Sequence, residues 1–116
     1  MSPEDYIRQA YRYILRSDFE EAIVCFEAAI SESPGDAEVR YRCSITYARN
    51  GKLDKAIEHA QAAVKLDGTK PEYTLHLQHL KGLTLVQEAK GLLEAEDKSK
   101  NNPYRPITLL KEAVML

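Results

Sequence analysis

His76 and His79 stand three residues apart, and of all the residues in this chain they come nearest to a chemical site. On a helix that spacing puts both imidazoles on one face, within reach of a shared metal ion. A working site needs at least a third protein ligand, and none stands at a useful spacing. His59 reads as part of another helix, and Cys25 and Cys43 are distant. The pair therefore reads as two helical histidines facing solvent or a groove. The cysteines have neither metal nor redox spacing and read as reduced packing residues. A disulfide would need them adjacent on facing helices. Aspartate and glutamate are plentiful but fall on polar helix faces, where such charges are solvated. The chain contains no Gly-rich phosphate loop, no H-E-x-x-H and no serine elbow. The expectation is a protein that is not an enzyme, with no catalytic residue, no cofactor and no metal.

Composition narrows the partners in the same direction. The 116 residues suit one domain with a modest core, and 44% hydrophobic with 29% charged residues is near the globular average. A net charge of −2 offers no basic footprint for a nucleic-acid backbone, so no nucleic acid is expected. The apolar runs are only a few residues long, so no membrane insertion is expected. The opening MSPEDYIRQ is polar and acidic, unlike a signal peptide, which makes a cytoplasmic location the expectation.

The elements that carry these residues follow from a repeat. Ala22, Phe26, Ala29 and Pro34 recur 34 residues later as Ala56, Ala60, Ala63 and Gly68, and Tyr13 recurs as Tyr47. A period of this size marks stacked supersecondary units, none of which buries its apolar face alone. Each unit divides into two helices. Ser2 and Pro3 suit an N-cap followed by a first-turn proline, and Tyr6, Ala10, Tyr13 and Ile14 form a helical stripe. Asp18 is placed to cap a second helix with the stripe Phe19, Ala22, Ile23, Phe26, Ala29 and Ile30, which Ser33-Pro34-Gly35-Asp36 ends. The second unit repeats this with helices over about 37–49 and 53–66, joined at Asn50-Gly51. Alanines at 22, 29, 56 and 63 sit where helices would cross, letting the backbones approach closely.

These residues resemble the tetratricopeptide repeat. The first unit carries its pattern at Tyr6, Ala10, Tyr13, Ala22, Phe26, Ala29 and Pro34, with Gln9 as a departure. The second carries it at Tyr47, Gly51, Ala56 and Ala63, with Arg40 and Ala60 where the family has rings. The resemblance implies an all-α, right-handed solenoid of three helical hairpins, six helices in one domain over 1–116. The repeats would run over about 3–36, 37–70 and 71–116. In the last, Pro106-Ile107, Ala113-Val114 and Leu116 align with Ala56-Ile57, Ala63-Val64 and Leu66 at a spacing of 50. That leaves 16 residues inserted, read as an elongated fifth helix over about 71–98 despite Gly82 and Gly91.

The resemblance also implies a function, that of a protein-binding scaffold or adaptor. First helices of successive repeats line a concave surface that takes peptides or partner helices. Carried over residue by residue, this surface has Glu4, Ile7, Arg8, Tyr11, Ile14 and Leu15 from the first unit. The second gives Glu38, Tyr41, Arg42, Ile45, Ala48 and Arg49, and the third Leu75, His76, His79 and Leu83. Tyrosines give contact area at low entropy cost and arginines fork onto carboxylates, so a peptide with an apolar anchor and an acid would suit Arg8, Tyr11, Tyr41, Arg42, Ile45, Arg49, His76 and His79. A solvated face, or packing from another domain, is the plainer alternative. The family's two-carboxylate clamp for chaperone C-termini is not expected, because Ile7, Tyr11, Arg42, Glu72 and His76 stand at its positions. Finally, Ile107, Leu110, Val114 and Leu116 fall on or near one side of an apolar last helix. Such a stripe pairs with another chain, folds against the long helix or belongs to a longer protein. A homodimer or larger assembly is thus the alternative function.

Overall fold

Each of the first five half-repeats forms a helix. The computed structural model describes residues 1–99, and among them are five helices and no strand. These are α1 (Pro3–Leu15), α2 (Phe19–Glu32), α3 (Ala37–Arg49), α4 (Leu53–Leu66) and α5 (Pro71–Ser99). The sixth expected helix, with Ile107, Leu110, Val114 and Leu116, lies outside the described residues. Packing divides the chain within α5, into a first unit, Met1–Leu77, and a second that begins at Gln78. The fifth helix is elongated as the insertion predicts, at 29 residues. It runs through Gly82 and Gly91 because their neighbours, mostly Leu, Lys, Glu, Gln and Ala, are strong helix formers.

In the first unit α1 packs on α2, α2 on α3 and α3 on α4. The core is built from the positions that recur. Ala22, Ala29, Ala56 and Ala63 have no exposed surface, and neither has Phe26, which stands among them on α2. Methyl side chains at the crossings let the ridges of one helix enter the grooves of the next. Tyr73, at the start of α5, is the largest fully buried side chain among the described residues.

The helix ends follow their sequence signals, with one exception. Ser2 caps α1 in a reciprocal capping box with Asp5, and Pro3 takes the first turn. Asp36 caps α3 by accepting from the Val39 amide at 3.3 Å. Asp18, expected to cap α2, occupies the N-cap position but makes no side-chain cap bond. Its ψ of 70° differs from the 99° at Asp36, and its amide closes α1 by donating to the Tyr13 carbonyl at 2.9 Å. The linker is so short that one residue closes one helix and opens the next.

That closure repeats one period later. Ser17 donates to the Ile14 carbonyl and Asp18 to that of Tyr13, as Gly51 donates to Ala48 and Lys52 to Tyr47. Both are Schellman closures with a left-handed residue after the C-cap, Gly51 at φ 76° and Ser17 at φ 60°. Glycine adopts this conformation without strain, whereas a residue with a Cβ loses about 1–2 kcal/mol. Ser17→Gly is therefore expected to stabilise the protein by about 0.5–1 kcal/mol, since glycine also gains freedom in the unfolded chain. Gly51→Ser is expected to destabilise it by about 1 kcal/mol. Urea unfolding midpoints check the pair, and equal shifts in one direction would contradict the shared geometry.

Candidate functional site

Helix α3 carries the centre of the expected binding surface. Arg42, Ile45 and Arg49 follow at helical spacing along one stripe. With Thr46 they form one wall of a pocket of about 220 Å³, whose other walls are Tyr11 and Ile14 of α1 and Phe26 of α2. The Tyr11 ring meets Phe26 edge-on, with centroids 6.0 Å apart. The Arg42 guanidinium carbon lies 5.5 Å from the Tyr11 ring centre, within cation–π range. Partial burial pushes the Tyr11 hydroxyl above its ordinary pKa. Thr46 donates its hydroxyl to the Arg42 carbonyl at 2.9 Å, so it offers the pocket little polarity. The result is a floor of aromatic and aliphatic groups with exposed Arg42 and Arg49 at the rim.

A second set of contacts joins α3 to the start of α5. Tyr41 lies 4.7 Å from the Tyr73 ring and meets the His76 ring edge-on at 5.3 Å. Glu38 anchors this set to the pocket, since one carboxylate oxygen accepts from Tyr73 at 2.8 Å and the other from Arg42 at 2.7 Å. The Tyr73 bond, followed by the charge and hydrogen bond of Arg42, holds the Glu38 carboxyl below the ordinary glutamate range. Below Tyr41, Ser44 donates its only hydroxyl proton to the Ala56 carbonyl at 2.6 Å. Its oxygen is thus the acceptor toward His76 Nε2, 2.8 Å away, which fixes that nitrogen as the protonated one.

The structure therefore divides the expected groove residues. Tyr11, Arg42, Ile45 and Arg49 come together in the pocket. Tyr41 and His76 are half-buried and engaged in packing α5 onto α3. Arg8 is exposed and not among the pocket-lining residues, 3.9 Å from Asp5 one turn earlier. His79 is exposed on α5, in the second unit. Of the H-x-x-H pair, His76 Nε2 is hydrogen-bonded to Ser44 and His79 is exposed.

A cluster that the sequence reading separated is brought together across α2, α3 and α4. One oxygen of Glu27 accepts from Cys43 Sγ at 3.6 Å, from the Tyr47 hydroxyl at 3.1 Å and from His59 Nε2 at 2.7 Å. His59 and Cys43, weighed in the sequence only as possible third ligands for the His76 and His79 pair, share this carboxylate instead. The signal for it was present. Glu27, Cys43 and His59 are spaced by 16, near half the repeat period, which sets one residue on each of three successive helices. Burial, with the neighbouring Glu27 charge, pushes the Cys43 thiol and the Tyr47 hydroxyl well above their usual values. Cys25 and Cys43 are both buried and free.

Among known proteins, the sequence model of the family described as tetratricopeptide repeat matches residues 13–78, more than half of the chain. No curated protein matches it. Among solved structures, one similar chain is the first TPR of Spaghetti (RPAP3) bound to HSP90 peptide SRMEEVD. The two are 17% identical with a TM-score of 0.65, over 98% of this chain and 94% of that one, a likeness of fold.

The Glu38 contacts generate a prediction about pH. A carboxyl with a lowered folded pKa adds stability above its unfolded value of about 4.3, lost as pH falls through the folded value. Tyr73→Phe removes the largest cause and is expected to move the Glu38 pKa upward toward the ordinary value. The loss of Glu38 stabilisation on acidification still begins near the unfolded value but becomes smaller, so the acid limb is shallower. A carboxyl-carbon NMR titration reads the shift, and an unchanged Glu38 midpoint would contradict the assigned cause.

Proposed function

The chain belongs to the tetratricopeptide-repeat family, and we propose that it acts as a non-catalytic scaffold or adaptor that holds a peptide or helix of a partner protein. The supporting observation is the pocket between α1, α2 and α3, an apolar floor beside two guanidinium groups. It suits an apolar anchor residue followed or preceded by an acid. Tyr11 and Ile45 take the anchor, and Arg42 and Arg49 take the carboxylate. Tyr41 and His76 hold the α5 end of the groove in place, and Arg8 contributes at its edge. A peptide-sized partner is also in keeping with the similar fold that binds SRMEEVD.

The chemistry differs from a two-carboxylate clamp. Of the residues at the clamp positions, Ile7, Tyr11 and Glu72 carry no positive charge and His76 is tied to Ser44. Arg42 alone is a permanent cation, and Glu38 partly satisfies it. A ligand acid must displace or share that partner, so the apolar anchor supplies most of the affinity.

Fluorescence anisotropy with labelled peptides tests this. A peptide carrying a Phe or Leu beside Asp or Glu is expected to bind. Arg42→Ala and Ile45→Ala should each weaken it about tenfold, equivalent to about 1.4 kcal/mol, with helicity unchanged. SRMEEVD is expected to bind no more tightly than its C-terminal amide, because no clamp reads the terminal carboxylate. Binding that survives both substitutions would exclude the groove.

A second reading is self-assembly. It draws on exposed leucines of α5, Leu75 at 64% and Leu83 and Leu93 at 37% each. Light scattering at several concentrations is expected to show a dimer on this reading, and a clean monomer at high concentration would remove it.

A further inference from the structure

The Glu27, Cys43 and His59 cluster stands apart from the groove and is not needed for peptide capture. Its three donor atoms all lie within 4.8 Å of one another. A tetrahedral zinc ion has Zn–S near 2.3 Å and Zn–N or Zn–O near 2.0–2.1 Å, so its donors stand roughly 3.3–3.6 Å apart. Glu27 Oε1 is 3.6 Å from Cys43 Sγ, already at that separation, and 2.7 Å from His59 Nε2. The second edge must open by roughly half an ångström to reach that geometry. Glu27 is the partner able to move, its side chain being 43% exposed against 10% for His59. The other two are held in place. Cys43 is fully buried, and the His59 ring is stacked on Tyr47 at 5.4 Å and 11°.

We propose that Glu27, Cys43 and His59 form a binding site for zinc(II), one ligand from each of α2, α3 and α4, with water in the fourth position. Thiol and imidazole donors select a borderline-soft ion, whereas magnesium and calcium require shells of oxygen that are not present in this cluster. Tyr47, donating to the same carboxylate, orients it from outside the ligand set. On loading, the Cys43 thiol gives its proton to solvent and the thiolate binds the ion. His59 binds through Nε2, whose proton moves to Nδ1, a buried atom with no hydrogen-bond partner. Glu27 binds as its carboxylate. One thiolate and one carboxylate cancel the charge of the dication, so the loaded site buries no net charge, and one proton is released per ion. The half-exposed side of Glu27 is the way in. The bound ion would tie the first repeat to both helices of the second.

Cobalt(II), titrated into the reduced 116-residue chain, is the probe. One cobalt per chain is expected, with a thiolate-to-cobalt charge-transfer band in the near ultraviolet and the intense visible absorption of a tetrahedral ion. Zinc(II) should abolish both. Cys43→Ser should lose the charge-transfer band, while Cys25→Ser and a His76→Ala, His79→Ala double variant keep it. Absence of the band in the natural protein overturns the proposal, and so does a band that persists in Cys43→Ser or disappears in Cys25→Ser. Should Cys43→Ser lose its helicity, Glu27→Gln replaces it, since that residue is half-exposed. It is expected to keep the band and bind cobalt at least tenfold more weakly, and unchanged affinity overturns the assignment.

Discussion

Helix pairs can approach closely only where a side chain is nearly absent, and that constraint governs everything else in the first unit. Ala22 and Ala29 on α2 and Ala56 and Ala63 on α4 are fully buried. Because their methyl groups take so little room, larger residues beside them close the gaps. Phe26 fills the space behind Tyr11 and Ile14 and so becomes the pocket floor. A longer side chain at any of the four alanines would force the helices apart, at about 1–3 kcal/mol for overpacking. The pocket would lose its back wall with them.

Close approach also leaves little room for water, so polar side chains between the helices share partners. Glu27 serves three donors with one oxygen. Ser44 uses its proton on Ala56 and its oxygen on His76, joining α3, α4 and α5. Glu38 divides its carboxylate between Tyr73 and Arg42, which links the end of the groove to the cation at its centre. A partner acid that engages Arg42 therefore acts on Glu38 and, through it, on Tyr73. In this way a surface contact reaches a fully buried ring. The exposed ion pairs elsewhere, such as Lys55 with Glu58, contribute little because water screens them.

The helices and their turns were legible because they depend on local patterning. Apolar stripes at helical spacing, the Ser2-Pro3 start and Asn50-Gly51 all locate ends to within a residue or so. The left-handed Ser17 was not legible, since serine carries no such signal; only its alignment with Gly51 reveals it. Asp18 misled because capping depends on backbone angles as well as residue type, and its ψ is 70° against 99° at Asp36 and 161° at Ser2, which do cap. The groove was half legible. Repeat register grouped Tyr11, Arg42, Ile45 and Arg49, which line one pocket, but which tyrosine lines it and which packs against α5 depends on contacts between helices far apart in sequence. The Glu27 cluster was missed because carboxylates were read as solvated and His59 and the cysteines were weighed only against His76 and His79, when a spacing of 16 puts Glu27, Cys43 and His59 side by side across the helices.

The central claim is that the α1–α3 pocket is where a partner docks. Amide chemical-shift mapping by NMR, with an unlabelled peptide bearing a Phe next to a Glu, tests it most directly. The account predicts shifts that saturate together and concentrate at Tyr11, Ile14, Arg42, Ile45 and Arg49, with a smaller response at Glu38 and Tyr73. Saturating shifts confined to the later part of α5, or none at all with peptides of this class, would contradict it.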